Sequence, residues 1–152
     1  MLNRRDLLTH STKVAALLAT AGLLPQAAQA AYNTQAFDVK TMAELMKVLG
    51  GSAPVESKDV TVTAPDIAEN GAVVPITVAT SLPGAKRLLV LVEKNPNVLC
   101  ALFEVSDAVD ASFATRVKMG QSSNVMAIAI MNDGKVFFSQ KEVKVTLGGC
   151  GG

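Results

Sequence analysis

Short runs of apolar residues that alternate with polar ones fill the chain from residue 58 to residue 147. In the first run, Val60, Val62 and Ala64 alternate with polar residues, which is typical of a half-buried strand. Further runs lie at 72–80, 87–93, 98–105, 112–118, 124–131, 135–139 and 142–147. Turn signals separate these runs, and no helical pattern lies between them. They therefore predict an all-β fold, an immunoglobulin-like antiparallel β-sandwich.

Two short signals refine this sandwich. Asp133-Gly134 stands between two apolar runs, which predicts a tight hairpin there. Pro75 lies inside the second run and has no N–H to give to a ladder. We therefore expect that strand to lie at a sheet edge or to carry a bulge.

A short N-terminal helix is predicted over residues 38–50. Thr41 and Glu44 have the spacing of a capping box, and Gly50-Gly51 is a stop signal. One face of the helix is apolar and carries Val39, Met42, Leu45, Met46 and Leu49. We expect a lid over one end of the domain core, with a partner-binding helix as the alternative.

Three of the predicted strands are apolar on both faces, at 88–92, 98–105 and 125–131. In a two-layer sandwich the outer face is mostly polar, so something must cover these strands. A second protein packed on this face is the favoured explanation. Cover by the helix and the loops is the alternative.

Residues 1–30 have the features of an export signal. Arg4-Arg5 is followed by an apolar run at 14–24 and by the small-residue cleavage pattern of 28–30. The run is too short to span a bilayer, so no retained membrane anchor is expected. The segment predicts export by the twin-arginine pathway to the periplasm; an ordinary general-export signal is the alternative and leads to the same compartment.

Removing this leader leaves 122 residues, with one domain expected at 31–147. The full chain has 14 basic and 13 acidic side chains, and the leader accounts for three and one of them, leaving 11 and 12. This balance gives no case for nucleic-acid binding. His10, the only histidine in the sequence, belongs to the leader, so no histidine-dependent catalytic residues and no histidine metal site are expected.

The sequence ends in a cysteine flanked on both sides by paired glycines. Residues 148–152 read Gly148, Gly149, Cys150, Gly151 and Gly152. Glycine has the greatest backbone freedom and adds no side-chain bulk, so we expect a flexible C-terminal arm rather than a folded element. Such an arm suits a thiol that must enter a narrow cleft in another protein.

Four segments together resemble the SoxY family, the sulfur-carrier subunit of the periplasmic Sox thiosulfate-oxidising system. They are residues 66–76, 93–97, 115–119 and 144–152, and the terminal Gly-Gly-Cys-Gly-Gly is the most specific of them. The resemblance implies a sandwich that forms a heterodimer with a SoxZ-like subunit. It also implies that Cys150 is the site to which sulfur intermediates are attached covalently.

The resemblance further implies a carrier that is not itself an enzyme and needs no cofactor. A c-type cytochrome would join thiosulfate to Cys150, a hydrolase would release sulfate, and a sulfane dehydrogenase would oxidise the remaining sulfur. One residue departs from the family pattern: Cys100 is a second cysteine. It is interpreted as a buried apolar residue on the strand face of Val98 and Leu102, with a disulfide to Cys150 as the alternative.

The sequence is also compatible with other functions. The main one is a periplasmic interaction module in which Cys150 forms a disulfide dimer or a tether. A copper site built from Met119, Met126, Met131 and a cysteine is weaker, because these methionines alternate with apolar residues as core positions do. A C-terminal thiocarboxylate carrier is poorer still, because its activation needs ATP, which an exported protein does not meet.

Overall fold

The computed structural model describes residues 34–146. The described chain begins with two short helices, α1 (Thr34–Asp38) and α2 (Met42–Leu49). Nine strands follow: β1 (Val55–Glu56), β2 (Val60–Thr63), β3 (Ile67–Ala68), β4 (Val74–Thr80), β5 (Ala85–Val92), β6 (Leu99–Glu104), β7 (Ser112–Val117), β8 (Ser123–Met131) and β9 (Val136–Val145). The predicted leader, 1–30, and the predicted arm, 148–152, lie outside the described residues.

The strands form two sheets. The larger sheet has the order β1-β9-β8-β5-β6, and β3 also pairs with β9. The smaller sheet has the order β2-β4-β7. Pairing is antiparallel except for the two short strands β1 and β3, which run parallel to β9. This architecture confirms the predicted antiparallel β-sandwich.

The main core lies between the two sheets. The smaller sheet contributes buried valines and an isoleucine, and the larger sheet contributes the alternate residues of β5, β8 and β9. Its largest fully buried members include Val60, Val74, Ile76, Val78, Leu88, Val90 and Val92. The strict alternation along these strands is what lets one face of each sheet fill the core.

A second core lies on the outer face of the larger sheet, under the helices. Leu45 and Met46 of α2 and Ala36 of α1 are buried there against the other face of β5 and β8. The sheet residues of this core include Leu89, Leu91, Met126, Ile128 and Ile130. The helices therefore account for the apolar outer face of β5 and β8, and the predicted partner protein is not required to bury these residues.

The helical region differs from the single helix predicted over 38–50. Thr41 has extended backbone angles and its side chain accepts a hydrogen bond from the Glu44 N–H, so α2 begins only at Met42. Gly50 ends α2 in the left-handed conformation, with φ of +71°. Val39 therefore lies outside the helix, although it packs against the same core. The capping residues were predicted correctly, and α1 was missed.

Two strand predictions need correction. β4 is the central strand of the smaller sheet and neither of its ladders carries a bulge, so the prediction of an edge position or a bulge is wrong. Its ladder with β2 covers only Thr77–Thr80, and Pro75 pairs on one side alone, with Arg116 of β7. A missing N–H is tolerated there because no second strand is present to receive it. The two runs predicted at 135–139 and 142–147 form one continuous strand, β9.

Candidate functional site at the root of the C-terminal arm

The predicted site residues form the C-terminal arm. Cys150, the predicted attachment point, and the arm glycines Gly148, Gly149, Gly151 and Gly152 lie outside the described residues. The described chain ends at Thr146, one residue after β9. The structure therefore defines the root of the arm, meaning residues 144–146 and the residues that contact them.

A clip formed by residues 64–69 holds the last residues of β9. Within it β3 runs parallel to β9, with Ile67 opposite Lys144 and Ala68 opposite Val145. Lys144 donates its N–H to the carbonyl of Asp66 at 3.0 Å, and Thr146 donates its N–H to the carbonyl of Ala68 at 3.1 Å. The backbone is thus fixed by hydrogen bonds up to four residues before Cys150.

One lysine ties this clip to β9 a second time. Lys141 Nζ donates to the carbonyl oxygen of Ala64 at 2.6 Å and lies 2.9 Å from Asp66 Oδ1. Lys141 is itself a residue of β9, so its contacts join the clip to the strand before the short β3 ladder. The hydrogen bond from Thr146 to Ala68 joins them after it.

On its other side the arm root packs against two loops. Val145 donates its N–H to Ser122 Oγ at 2.9 Å. A Cβ added to Gly71 would lie 2.8 Å from Val145 Cγ1 and 2.5 Å from the carbonyl oxygen of Met119. Met119 also donates its N–H to the Gly71 carbonyl at 2.7 Å. Only glycine fits at position 71, because any side chain would overlap backbone that is already fixed.

The turn at 93–97 joins the same end of the sandwich. Asn95 Nδ2 donates to the carbonyl of Lys118 at 2.7 Å and to Cys100 Sγ at 3.6 Å. Lys94 donates its N–H to Ser123 Oγ at 3.0 Å. The four segments that carry the family resemblance are scattered along the sequence, and the fold assembles them around the arm root. Sequence reasoning identified each segment and missed their convergence.

Cys100 is a bulge residue of β6. Val90 pairs with Ala101 and Leu91 with Leu99, so Cys100 has no partner on β5. The extra residue turns Cys100 toward the core between the sheets, whereas Val98 and Leu102 pack under the helices. The face predicted for Cys100 is therefore wrong, and its side chain is half-buried rather than fully buried.

Burial raises the pKa of the Cys100 thiol above its usual range, and the hydrogen bond from Asn95 and the Val92 backbone oppose this more weakly. The thiol forms no disulfide bond with any residue that the structure describes. No contact with Cys150 is defined, because that residue lies outside the described part of the chain.

The three methionines weighed as copper ligands are core residues, as expected. Met119 and Met131 are buried between the sheets, while Met126 is buried under the helices. They therefore do not converge on one point. Within residues 34–146, no group of three or more histidine, cysteine, aspartate or glutamate side chains is placed to hold a metal ion. No helix in that part of the chain is both long and apolar enough to cross a membrane.

Comparisons with known proteins identify the class of protein to which this chain belongs. A family model described as "Sulfur oxidation protein SoxY" matches residues 45–150, more than half of the chain. The sulfur carrier protein SoxY from Chlorobium limicola f thiosulfatophilum has a similar structure, with 33% sequence identity and a TM-score of 0.63 over 71% of this chain and 97% of that one. The class is thus that of β-sandwich sulfur oxidation proteins. The chain belongs to the SoxY family.

Other structures share the fold at lower identity. Two variants of the superoxide reductase (neelaredoxin) from Ignicoccus hospitalis match 71% of this chain and all of their own, with identities of 14% and 15% and TM-scores of 0.52 and 0.50. At these identities the likeness concerns the fold alone. No curated protein sequence matches the chain. The family and its solved member support a carrier role in sulfur oxidation.

Proposed function

We propose that this protein is a periplasmic sulfur carrier that holds thiosulfate-derived intermediates on Cys150 and presents them to partner enzymes. The observation that carries the proposal is the family match, which extends to residue 150 and so includes the cysteine. The fold supports it, because β9 is clipped in place until four residues before that cysteine. A thiol so close to a fixed root can be offered repeatedly from one position.

The chemistry is divided between the carrier and the enzymes. In the loading step, a c-type cytochrome takes two electrons as the Cys150 sulfur and the outer sulfur of thiosulfate form a bond, and the thiol proton leaves. In the next step, a hydrolase adds water across the S–SO₃ bond, so that sulfate and a proton leave and a persulfide stays on Cys150. A sulfane dehydrogenase then takes six electrons as three water molecules convert the outer sulfur to a sulfonate group and protons leave. A second hydrolysis releases this group as sulfate and restores the Cys150 thiol.

The carrier contributes a thiol and its position. The only histidine of the sequence lies in the leader, so the domain supplies no imidazole to activate Cys150. Activation of the thiol therefore falls to the cleft of each enzyme. We propose no cofactor for the carrier beyond the sulfur intermediates bound to it.

We further propose a SoxZ-like subunit as a stable partner and the twin-arginine pathway as the export route. The partner rests on family membership and not on the apolar strands, since the helices bury the outer face of β5 and β8. The export route rests on Arg4-Arg5 and the apolar run that follows in the leader. Neither proposal includes a membrane anchor or a nucleic acid.

The intact mass of the mature protein from cells grown on thiosulfate tests the carrier role. We expect reductant-removable additions of sulfur or thiosulfate that vanish in Cys150→Ser and persist in Cys100→Ser, which is the matched control because it removes the other thiol. Additions that persist in Cys150→Ser would contradict the proposal. A mass that shows only an inter-chain disulfide would favour the interaction module instead.

A further inference from the structure

We propose that Ile67 and Val73 form an apolar docking contact for the enzymes that take up Cys150. Both residues belong to the segment that wraps the arm root. This inference rests on the carrier function proposed above and goes beyond it, because it assigns a recognition surface on the folded domain. The partner chemistry is a protein surface with apolar side chains beside the mouth of a cleft that admits the arm.

The position of the exposed apolar side chains first indicates this surface. Among the described residues, four large apolar side chains are exposed, namely Val55, Ile67, Val73 and Val109, each to about half or more. Ile67 lies in β3, opposite Lys144 at the arm root. Val73 lies two residues after Gly71, whose backbone packs against Met119 and Val145. Two of the four exposed side chains therefore flank the arm root.

The other two lie at the opposite end of the sandwich. Val55 pairs with Phe137, near the hairpin where β9 begins. Val109 lies in the loop before β7, where Ala111 accepts a hydrogen bond from Thr80. Val145 lies eight residues after Phe137 along β9, a distance of about 26 Å at 3.3 Å per residue. Val55 and Val109 thus provide matched exposed valines that lie far from the arm.

The length of the predicted arm limits how far an enzyme can lie from the surface of the domain when it binds Cys150. Cys150 is the fourth residue after Thr146, which is at most about 14 Å away along a fully extended chain. Ile67 lies one strand spacing from Lys144 and two residues along from Thr146, a separation of about 8 Å. An enzyme that draws Cys150 into a recessed site therefore brings its own surface close to the arm root, within reach of Ile67.

The surroundings suit a contact that forms and breaks repeatedly. Asp66, Glu69, Lys118 and Lys144 are exposed around the two apolar residues, with charges of both signs. Such an apolar centre within a polar rim is the usual composition of a protein interface. Two aliphatic side chains form a small contact, and several enzymes can share it in turn because its apolar attraction has no directional requirement.

The test compares Ile67→Glu and Val73→Glu with the control variants Val55→Glu and Val109→Glu, each in the mature protein bound to its SoxZ-like subunit. The rate at which the thiosulfate-oxidising cytochrome loads Cys150 is measured by intact mass at several carrier concentrations. We expect the KM for the carrier to rise about tenfold in the two arm-root variants, with kcat unchanged. The control variants are expected to stay within twofold of the wild type.

Reaction of Cys150 with a small aromatic disulfide reagent separates docking from access to the thiol. This rate should be the same in all five proteins, because the reagent needs no docking surface. Equal KM values in all five proteins would overturn the docking surface and leave the carrier function intact. Loss of the heterodimer in Ile67→Glu would assign the surface to the stable subunit and also overturn it. A wild-type protein that is not loaded would remove both proposals.

Discussion

Lys141 Nζ lies 2.9 Å from Asp66 Oδ1 and also donates a hydrogen bond to the Ala64 carbonyl. Lys141 belongs to β9, and Asp66 precedes the two-residue strand that pairs with the end of β9. The lysine thereby fixes a clip that is too short to be stable by its two ladder positions alone. The clip in turn fixes the backbone that leads into the predicted C-terminal arm.

Replacing Lys141 with methionine should loosen the arm root more than it destabilises the domain. Asp66 is largely exposed, so the ion pair itself contributes little, and the lost hydrogen bond costs about 1 kcal/mol. We expect a small loss in the free energy of unfolding and a clear gain in hydrogen exchange at the Lys144 and Thr146 amides, measured by NMR.

Lys135→Met is the matched control for this experiment. Lys135 forms an equally short ion pair with Asp133, at 2.8 Å, in the hairpin at the opposite end of β9. Its loss should leave exchange at Lys144 and Thr146 unchanged. If both variants left these amides equally protected, Lys141 would have no role in fixing the arm root.

Gly71→Ala is predicted to destabilise the domain through one backbone contact. The added Cβ would lie 2.5 Å from the Met119 carbonyl oxygen, and that backbone is held by its own hydrogen bond to Gly71. Overpacking of this kind costs about 1–3 kcal/mol. Chemical denaturation should show a loss of this size.

Gly120→Ala controls for the loss of a glycine in the facing loop, directly after Met119. A Cβ at position 120 would meet no atom within 4 Å, and the residue is exposed. We expect its free energy of unfolding to be unchanged within about 0.5 kcal/mol. Equal destabilisation in the two variants would mean that backbone freedom matters at Gly71, rather than the close packing against Met119.

Local patterns predicted the strands, the Asp133-Gly134 hairpin and the cap at Thr41, because each of these depends on residues close in sequence. The position of β4 was mispredicted because strand order depends on pairing between distant segments. The face of Cys100 was mispredicted because a single bulge reverses the alternation on which the prediction relied. The arm root could not be predicted for a similar reason, since Asp66 and Lys141 are 75 positions apart in the sequence.

The Cys100 thiol is predicted to react slowly in the folded protein. Burial raises its pKa, so at any pH below that raised value less of it is in the reactive thiolate form than in an unfolded chain. In Cys150→Ser, where Cys100 is the only thiol in the sequence, alkylation by iodoacetamide at pH 8 should be at least tenfold slower than in the same protein unfolded in urea. Its rate should continue to rise above the pH at which the unfolded thiol reaches its plateau. Equal rates in the two states at pH 8 would show that neither burial nor the raised pKa protects Cys100.

Leu45→Ala tests whether the helices, rather than a second subunit, bury the outer face of the larger sheet. Leu45 is fully buried on the strands β5 and β8, so its truncation leaves a cavity and should cost about 2–5 kcal/mol. Because the cavity lies within the chain's own core, this cost should appear in the isolated protein and not only in a heterodimer. Lys47→Ala, an exposed position of the same helix, should cost less than about 0.5 kcal/mol. A Leu45→Ala variant as stable as Lys47→Ala in the isolated chain would mean that α2 does not pack on the sheet until a partner is bound.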